Sequence, residues 1–370
     1  MTRRLLAVTD VTYFGGAGGA LLGLLEWARD RGWDVTLAAP EGDVEARGRR
    51  KGFATVVIDE LRVPAGPKVL GLMRAGVRAL RVARTLKRAA RDADLVLADG
   101  LFVLPSARFA CFACPVVHIS RSIIDRPDWA VLLRLFGSAA VVTIAPSEAA
   151  GRPYRRRGHD VRVVLHGARW PVEPARSEPD GAPIVGVAGQ LTPLKGQDVL
   201  LDAVARLERD DVVVELAGGE YPKDRPYAES LREQVERLGL TDRVRFLGHV
   251  EAMLDRMRSW RILALPSVYP EVCPLAVVEA VSIGLPVIAT DHGGPKEILD
   301  GAGLLVPPRD EVALAAAIQC LLDDRDLYDR CARAGRQRVA DGLNVEREQR
   351  ELFAIFDEVV PPPAHASGHE

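Results

Sequence analysis

Two glutamates, Glu271 and Glu279, stand on either side of a proline in the run Pro266-Ser267-Val268-Tyr269-Pro270-Glu271-Val272-Cys273-Pro274-Leu275-Ala276-Val277-Val278-Glu279-Ala280. Pro274 suits the first position of a helix, where its missing N–H is no loss. The free backbone N–H groups around Val272, Cys273, Pro274 and Leu275, with the positive end of the helix dipole, would make an anion site. Glu271 falls just outside that helix start and Glu279 a turn and a half inside it. One carboxylate could then reach a sugar beside a diphosphate while the other accepts hydrogen bonds from ribose hydroxyls. Glu279 lies within Leu275-Ala276-Val277-Val278-Glu279-Ala280-Val281, and a carboxylate without a partner is expensive to bury there. Such an expense points to a functional group.

A second candidate is Gly189-Gln190-Leu191-Thr192-Pro193-Leu194-Lys195-Gly196-Gln197-Asp198. An apolar strand ends in glycine, a loop follows, and a lysine precedes a helix. Lys195 at such a place supplies a point charge to a diphosphate, with Gly189 and Gln190 beside it. Another strand ends in a glycine turn at Gly218. A third candidate is Gly15-Gly16-Ala17-Gly18-Gly19, a strand-to-helix turn whose backbone could approach phosphate closely. It does not read as G-x-G-x-x-G, and no Lys-Ser/Thr follows it.

These residues need elements to place them. Apolar strand-like runs (Leu5–Val8, 35–40, Val56–Ile58, Leu95–Ala98, Val116–Ile119, 141–147) alternate with helical stretches through the first half. The same alternation resumes at Ile184 and continues past Thr290. Strands alternating with helices imply parallel sheets. The expected fold is therefore α/β: two Rossmann-like, doubly wound domains facing across a cleft at the strands' carboxyl ends. The first domain is placed at residues 1–170, a proline-rich linker at 171–183, and the second domain at 184–344. A last helix over 345–360 would cross back to the first domain, and a tail over 361–370 would be disordered.

Composition narrows the function classes. The chain has 370 residues with Lys+Arg 49 against Asp+Glu 51, a formal net charge of −2, which argues against a nucleic-acid partner. Arginine clusters, among them Arg152 to Arg157, are interleaved with small residues and read as solvated helix faces; a phosphorylated or lipid-linked partner is the other reading. Cys111 and Cys114 form one CxxC in an apolar stretch, without the second pair or histidines that zinc needs. Five scattered cysteines suit a reducing cytoplasm. No signal peptide or membrane-length apolar run is visible, so any membrane contact is peripheral.

The segments Gly189–Gly196, Pro266–Ala280 and Gly293-Gly294-Pro295-Lys296-Glu297 resemble the family 4 retaining glycosyltransferases of GT-B fold. The resemblance implies a nucleotide-sugar donor bound by the second domain and a hydroxylated small molecule, glycan or lipid-linked acceptor bound by the first, with no cofactor and no metal. It implies that Glu279 binds the ribose, Glu271 the transferred sugar, and Lys195 with the Gly15 and Gly16 backbone the diphosphate. Gly293 and Gly294 are either a turn near the donor or purely structural. The chain departs from the family pattern at Gln190, where an arginine is common, and at His166-Gly167, where Asn-Gly is common. Many members line the acceptor side with a histidine near the end of a strand. His118 sits early in its strand, where a core or strand histidine is the first reading and a catalytic one the alternative; Arg121 stands nearer the expected place, so both are catalytic candidates, with Ser120, Arg121 and Asp125 as acceptor-binding candidates. Arg121 and Asp125, four apart, could instead pair on the surface. A nucleotide-sugar 2-epimerase or a sugar phosphorylase would share this architecture, and the first glycine turn alone leaves room for a nicotinamide-dependent oxidoreductase.

Overall fold

The structure is a computed structural model that describes residues 2–61, 68–110, 112–169 and 181–361, without the side chains of 68–75. Most of the expected linker at 171–183, the tail beyond Pro361, and Cys111 lie outside the described residues. The chain forms two units, Met1–Val164 with Gln349–Glu370, and Leu165–Glu348.

Unit 1 contains β1 (Arg4–Thr9), α1 (Gly16–Asp30), β2 (Asp34–Pro40), α2 (Asp43–Arg50), β3 (Ala54–Ile58), α3 (Lys68–Ala89) and β4 (Leu95–Asp99). It continues with α4 (Leu104–Ala110), β5 (Val116–Ile119), α5 (Pro127–Phe136), β6 (Val142–Ala145), α6 (Glu148–Arg155) and β7 (Val161–Val163). Its seven strands are parallel in the order β3-β2-β1-β4-β5-β6-β7. Unit 2 contains β8 (Ile184–Ala188), α7 (Gln197–Ala205), β9 (Val213–Ala217), α8 (Arg225–Arg237), β10 (Val244–Gly248), α9 (Met253–Met257) and β11 (Ile262–Leu265). After these come α10 (Leu275–Ser282), β12 (Val287–Thr290), α11 (Pro295–Leu299), β13 (Leu304–Val306), α12 (Glu311–Asp323) and α13 (Arg325–Ala340). Its six strands are also parallel, in the order β10-β9-β8-β11-β12-β13. Both orders reverse beside the first strand of the unit, which is where doubly wound sheets bind ligands.

The inner strands read as unbroken apolar runs because helices cover both faces of a parallel sheet: β4, β6 and β11 have every residue buried. The last helix, α14 (Val345–Val359), begins in unit 2 and ends in unit 1. There it lays Leu352, Phe353, Ile355 and Phe356 into the core beside Leu5, Leu25 and Trp33. Phe356 meets the Trp33 ring edge-on at 6.2 Å, and the Arg3 guanidinium lies 4.2 Å from the centroid of the same ring.

Boundaries depart from expectation in two informative places. Helix α1 begins at Gly16, not Ala20, because Gly19 N–H donates to the Gly15 carbonyl at 2.8 Å and the glycine turn becomes the first turn of helix. Pro274 is the residue that caps α10, with ψ 111°, and the helix starts one residue later at Leu275. Helix α13 was not legible as an element, since its sequence is dominated by charge; Asp324 opens it by accepting the Leu327 N–H at 2.8 Å.

Unit 2 encloses a charge. Glu215, in β9, is fully buried; it accepts hydrogen bonds from Arg256 Nε at 2.7 Å and Trp260 Nε1 at 2.8 Å, with Arg245 3.3 Å away. Burial alone would raise its pKa, but the bonds from Arg256 and Trp260 outweigh it and hold the carboxyl below its ordinary value. Trp260 is fully buried against β8, where a Cβ on Gly186 would lie 2.0 Å from the indole. Gly186→Ala is therefore expected to destabilise the protein by about 1–3 kcal/mol in urea unfolding, as overpacking does. Gly219→Ala, whose Cβ would meet nothing within 4 Å, is the control and should change stability by less than about 0.5 kcal/mol.

Candidate functional site

In unit 2 the chemistry-bearing residues gather at the carboxyl ends of β8, β11 and β12. After β8 the chain turns at Gly189, whose N–H donates to the Ala217 carbonyl at 2.9 Å. Gly218 is required by this approach, because a Cβ there would lie 1.9 Å from the Gly189 carbonyl oxygen. Gln190 donates its side-chain amide to the Tyr221 hydroxyl and accepts from Gln197 Nε2 at 2.8 Å through its carbonyl. A 3-10 turn, Pro193–Lys195, then leads into Gly196, which has φ +67° and would place a Cβ 2.1 Å from the Pro266 carbonyl oxygen.

That contact presses Lys195 against the loop after β11. Its Nζ lies 2.5 Å from Glu271 Oε1, and Ser267 Oγ donates to the same oxygen at 2.7 Å. Both charged side chains keep partial exposure, 25% for Lys195 and 18% for Glu271, so the pair is held but accessible. The Ser267 carbonyl in turn accepts from Thr290 Oγ1 at 2.9 Å and His292 Nε2 at 2.8 Å. Gly293 and Gly294 have a structural role: Gly294 N–H donates to the Glu271 carbonyl at 2.8 Å. Cβ atoms on the two glycines would meet the Glu271 and Val272 carbonyl oxygens at 2.2 and 2.0 Å. Glu271 is thus fixed through its backbone by one glycine pair and through its side chain by Lys195 and Ser267.

Glu279 is placed differently. It lies on α10, partly buried, and its carboxylate has no hydrogen-bond donor among the described residues. Burial pushes its pKa up to about 7, against the attraction of Arg169. Beyond it, Glu348 is also buried, yet it accepts from His166 Nδ1 at 2.7 Å and from Gly167 N–H at 2.9 Å. Burial would raise its pKa, but these bonds hold the carboxyl below its ordinary value. The Cys273 thiol, beside the His166 backbone, is pushed up to about 12 by burial and is no nucleophile at neutral pH.

In unit 1 the expected acceptor residues divide. His118 is built into the core, as its first reading expects. It is fully buried, with Nδ1 2.8 Å from the Ala98 carbonyl and Nε2 2.9 Å from the Tyr154 hydroxyl. Burial lowers its pKa to about 4, so the ring is neutral and both nitrogens are engaged. Ser120 is also buried, with its hydroxyl donated to the Ser122 carbonyl at 3.2 Å. Arg121 does not rest on Asp125. Its Nε lies 2.5 Å from Oδ1 of Asp99, a fully buried carboxylate whose other oxygen accepts from Thr9 Oγ1 at 2.8 Å. Asp125 is exposed. Gly15 caps α1 with extended backbone and no side-chain cap, and Gly16 is exposed, leaving that helix start open.

Sequence reasoning missed Asp99, Ser267, His292, Arg169 and Glu348. Asp99 and Ser267 each end an apolar strand run, and a polar residue at that place was the available signal. Glu348 and His166 are far apart in sequence, and only the fold joins them.

Comparison with known proteins identifies the family. The model for glycosyl transferases group 1 matches residues 169–338, and that for glycosyltransferase family 4 matches residues 14–168. A D-inositol 3-phosphate glycosyltransferase of Saccharomonospora viridis is 30% identical over 303 residues, covering 76% of this chain and 67% of that one. One of Streptomyces avermitilis is 38% identical over 171 residues, 44% of this chain and 37% of that one. The matched segments span from 36% to 67% of the length of such relatives. Among solved structures, HepE of Anabaena in complex with UDP and glucose superposes with a TM-score of 0.81 at 22% identity, over 96% of this chain and all of the other. That likeness is one of fold.

The ionisation of Glu279 is linked to stability. Its folded-state pKa, about 7, stands above that of the unfolded chain, so the folded protein keeps a proton that the unfolded chain has lost between about pH 4.5 and 7. Stability therefore falls as pH rises through that window, and above it the whole penalty is present. Glu279→Gln is expected to raise stability by about 1–3 kcal/mol at pH 8 and to leave it unchanged near pH 4. Thermal melts at the two pH values check this, and a variant no more stable than the parent at pH 8 would contradict it.

Proposed function

The chain belongs to the group 1 glycosyltransferases, and from that premise we propose that it moves a hexosyl group from a nucleoside diphosphate sugar to a hydroxyl acceptor, with retention and without a metal. The observation that carries the reading is the Lys195–Glu271–Ser267 cluster at the carboxyl ends of β8 and β11, beside the start of α10. Lys195 supplies positive charge to the diphosphate, and the N–H groups of Val272, Cys273 and Leu275 add the helix-terminal contribution. Glu271 orients the sugar and steadies positive charge at C1. Glu279 accepts from the ribose hydroxyls and so gains the hydrogen bonds that the free protein does not give it. The complex of HepE with UDP and glucose supports a uridine nucleotide as the first donor to try.

In the step proposed, the bond from C1 to the diphosphate oxygen breaks and its electron pair stays on the phosphate. The acceptor oxygen bonds C1 from the same face and passes its proton to the departing phosphate. Unit 1 serves the acceptor, with Arg121 held by Asp99 at the carboxyl ends of β4 and β5. The metal-free reading rests on Lys195 and the helix-terminal N–H groups as the charges that neutralise the diphosphate. The cysteine usage supports a reducing compartment.

The deciding experiment incubates the protein with a panel of nucleotide sugars and hydroxylated acceptors in excess EDTA, with products read by mass spectrometry and the anomeric configuration by NMR. Transfer with retention is expected; transfer that EDTA abolishes and magnesium restores, or an inverted product, would overturn the mechanism. In the same assay Lys195→Ala is expected to lower kcat/KM by roughly tenfold to more than a hundredfold, as loss of about 1.5–3 kcal/mol of charge-assisted contact implies. Its melting temperature should stay within a few degrees of the parent, and activity within twofold of the parent would remove Lys195 from the donor site.

A further inference from the structure

Unit 1 has a second, unassigned concavity. It lies near the amino ends of β6 and β7, across the sheet from Asp99 and Arg121, and has a volume of about 780 Å³. Its lining is Arg134, Ser138, Arg156, Arg157 and His159. The wall is built rather than incidental. A Cβ on Gly137 would lie 2.7 Å from two atoms of the His159 ring, so the imidazole rests directly on the backbone after α5. Tyr154 contacts the same ring edge-on at 6.2 Å.

The cavity carries uncompensated charge. Cations around it are paired: Arg126 with Asp128, Arg155 with Glu148, Arg162 with Asp160 and Glu358. Among the described residues, Arg134, Arg156 and Arg157 face no carboxylate; Arg157 donates only to the Pro153 carbonyl, at 2.8 Å. Burial and the neighbouring Arg157 hold His159 below the ordinary histidine range, so the positive charge comes from the arginines. The formal charge of the whole chain is −2, and this local excess is therefore not a general attraction to polyanions.

Beside these arginines the surface is apolar. Val131 and Leu135 share the outer face of α5 with Arg134 and are 54% and 59% exposed, and Val141, just before β6, is 55% exposed. Singly such residues are ordinary, but protruding aliphatic side chains next to unpaired guanidiniums match an interface that offers phosphate and hydrocarbon together. A free phosphate or a nucleic acid would leave the aliphatic side chains in water. No helix among the described residues is long and apolar enough to cross a membrane, so such contact would be peripheral.

We propose that this face of unit 1 docks on an anionic lipid surface, with Arg134, Arg156 and Arg157 receiving a phosphate headgroup and Val131, Leu135 and Val141 entering the interfacial layer. The inference is independent of the catalytic reading, since its test measures binding alone. The full chain would be sedimented with vesicles of phosphatidylcholine and of phosphatidylcholine with phosphatidylglycerol, and separately titrated with inorganic phosphate. Binding to the anionic vesicles is expected. Loss of about a hundredfold is expected in the Arg134→Ala/Arg156→Ala/Arg157→Ala variant, and at least tenfold in Val131→Ser/Leu135→Ser. The substituted side chains are exposed, and Arg134→Glu alone, which should also weaken binding, serves where a multiple variant folds poorly. Equal binding to both vesicle types, vesicle binding that survives the arginine variant, or binding of inorganic phosphate without vesicle binding would each overturn the proposal.

Discussion

A Cβ on Gly196 would lie 2.1 Å from the Pro266 carbonyl oxygen and one on Gly293 2.2 Å from that of Glu271, so the loops carrying the charged cluster of unit 2 touch backbone to backbone. With no side chain between them, their separation cannot relax by a change of rotamer. Gly218 against Gly189 repeats the arrangement one strand over. Lys195 and Glu271 come from loops 76 residues apart, and their contact depends on this packing. The ion pair is a consequence of the backbone arrangement more than its cause, because a pair that keeps partial contact with water contributes modest stability of its own.

The carboxylates of unit 2 fall into two kinds. Glu215 and Glu348 are buried with several donors each, and their charge is compensated within the protein. Glu279 is desolvated with no donor, and Glu271 shares one oxygen between a lysine and a serine. The first kind belongs to the interior. In the second, Glu279 lacks a hydrogen-bond donor among the described residues, and Glu271 is held by Lys195 and Ser267 yet stays partly exposed.

Much of this was legible in the amino-acid order, and the exceptions have physical reasons. Strand runs buried on both faces, the Glu271/Glu279 pair and Lys195 after a glycine-ended strand can all be read locally, because burial and turn chemistry act over a few residues. His118 stayed open between a core and a catalytic reading because its partners are Tyr154, 36 residues away, and the Ala98 carbonyl of the neighbouring strand. Asp125 looked a plausible partner for Arg121 at helical spacing, but the chain after β5 is not helical there, and Asp99 on the adjacent strand takes the arginine. Helix α5 was hidden by apolar residues around most of its circumference, which blurs the amphipathic period.

The path of α14 bears on the order in which the protein is made. Unit 1 closes its core with Leu352, Phe353 and Phe356, residues that a ribosome delivers only after unit 2. Until they emerge, Trp33 and Leu25 lack part of their packing, while the strands and helices of unit 2 are already complete. The unit that is synthesised first is thus finished second, and during translation its apolar surface stays uncovered for the time needed to make the whole of unit 2. Such a chain has its greatest exposure to aggregation and to proteases in unit 1 until α14 has emerged, and a truncation directly before α14 would leave unit 1 without the apolar side chains that complete its core.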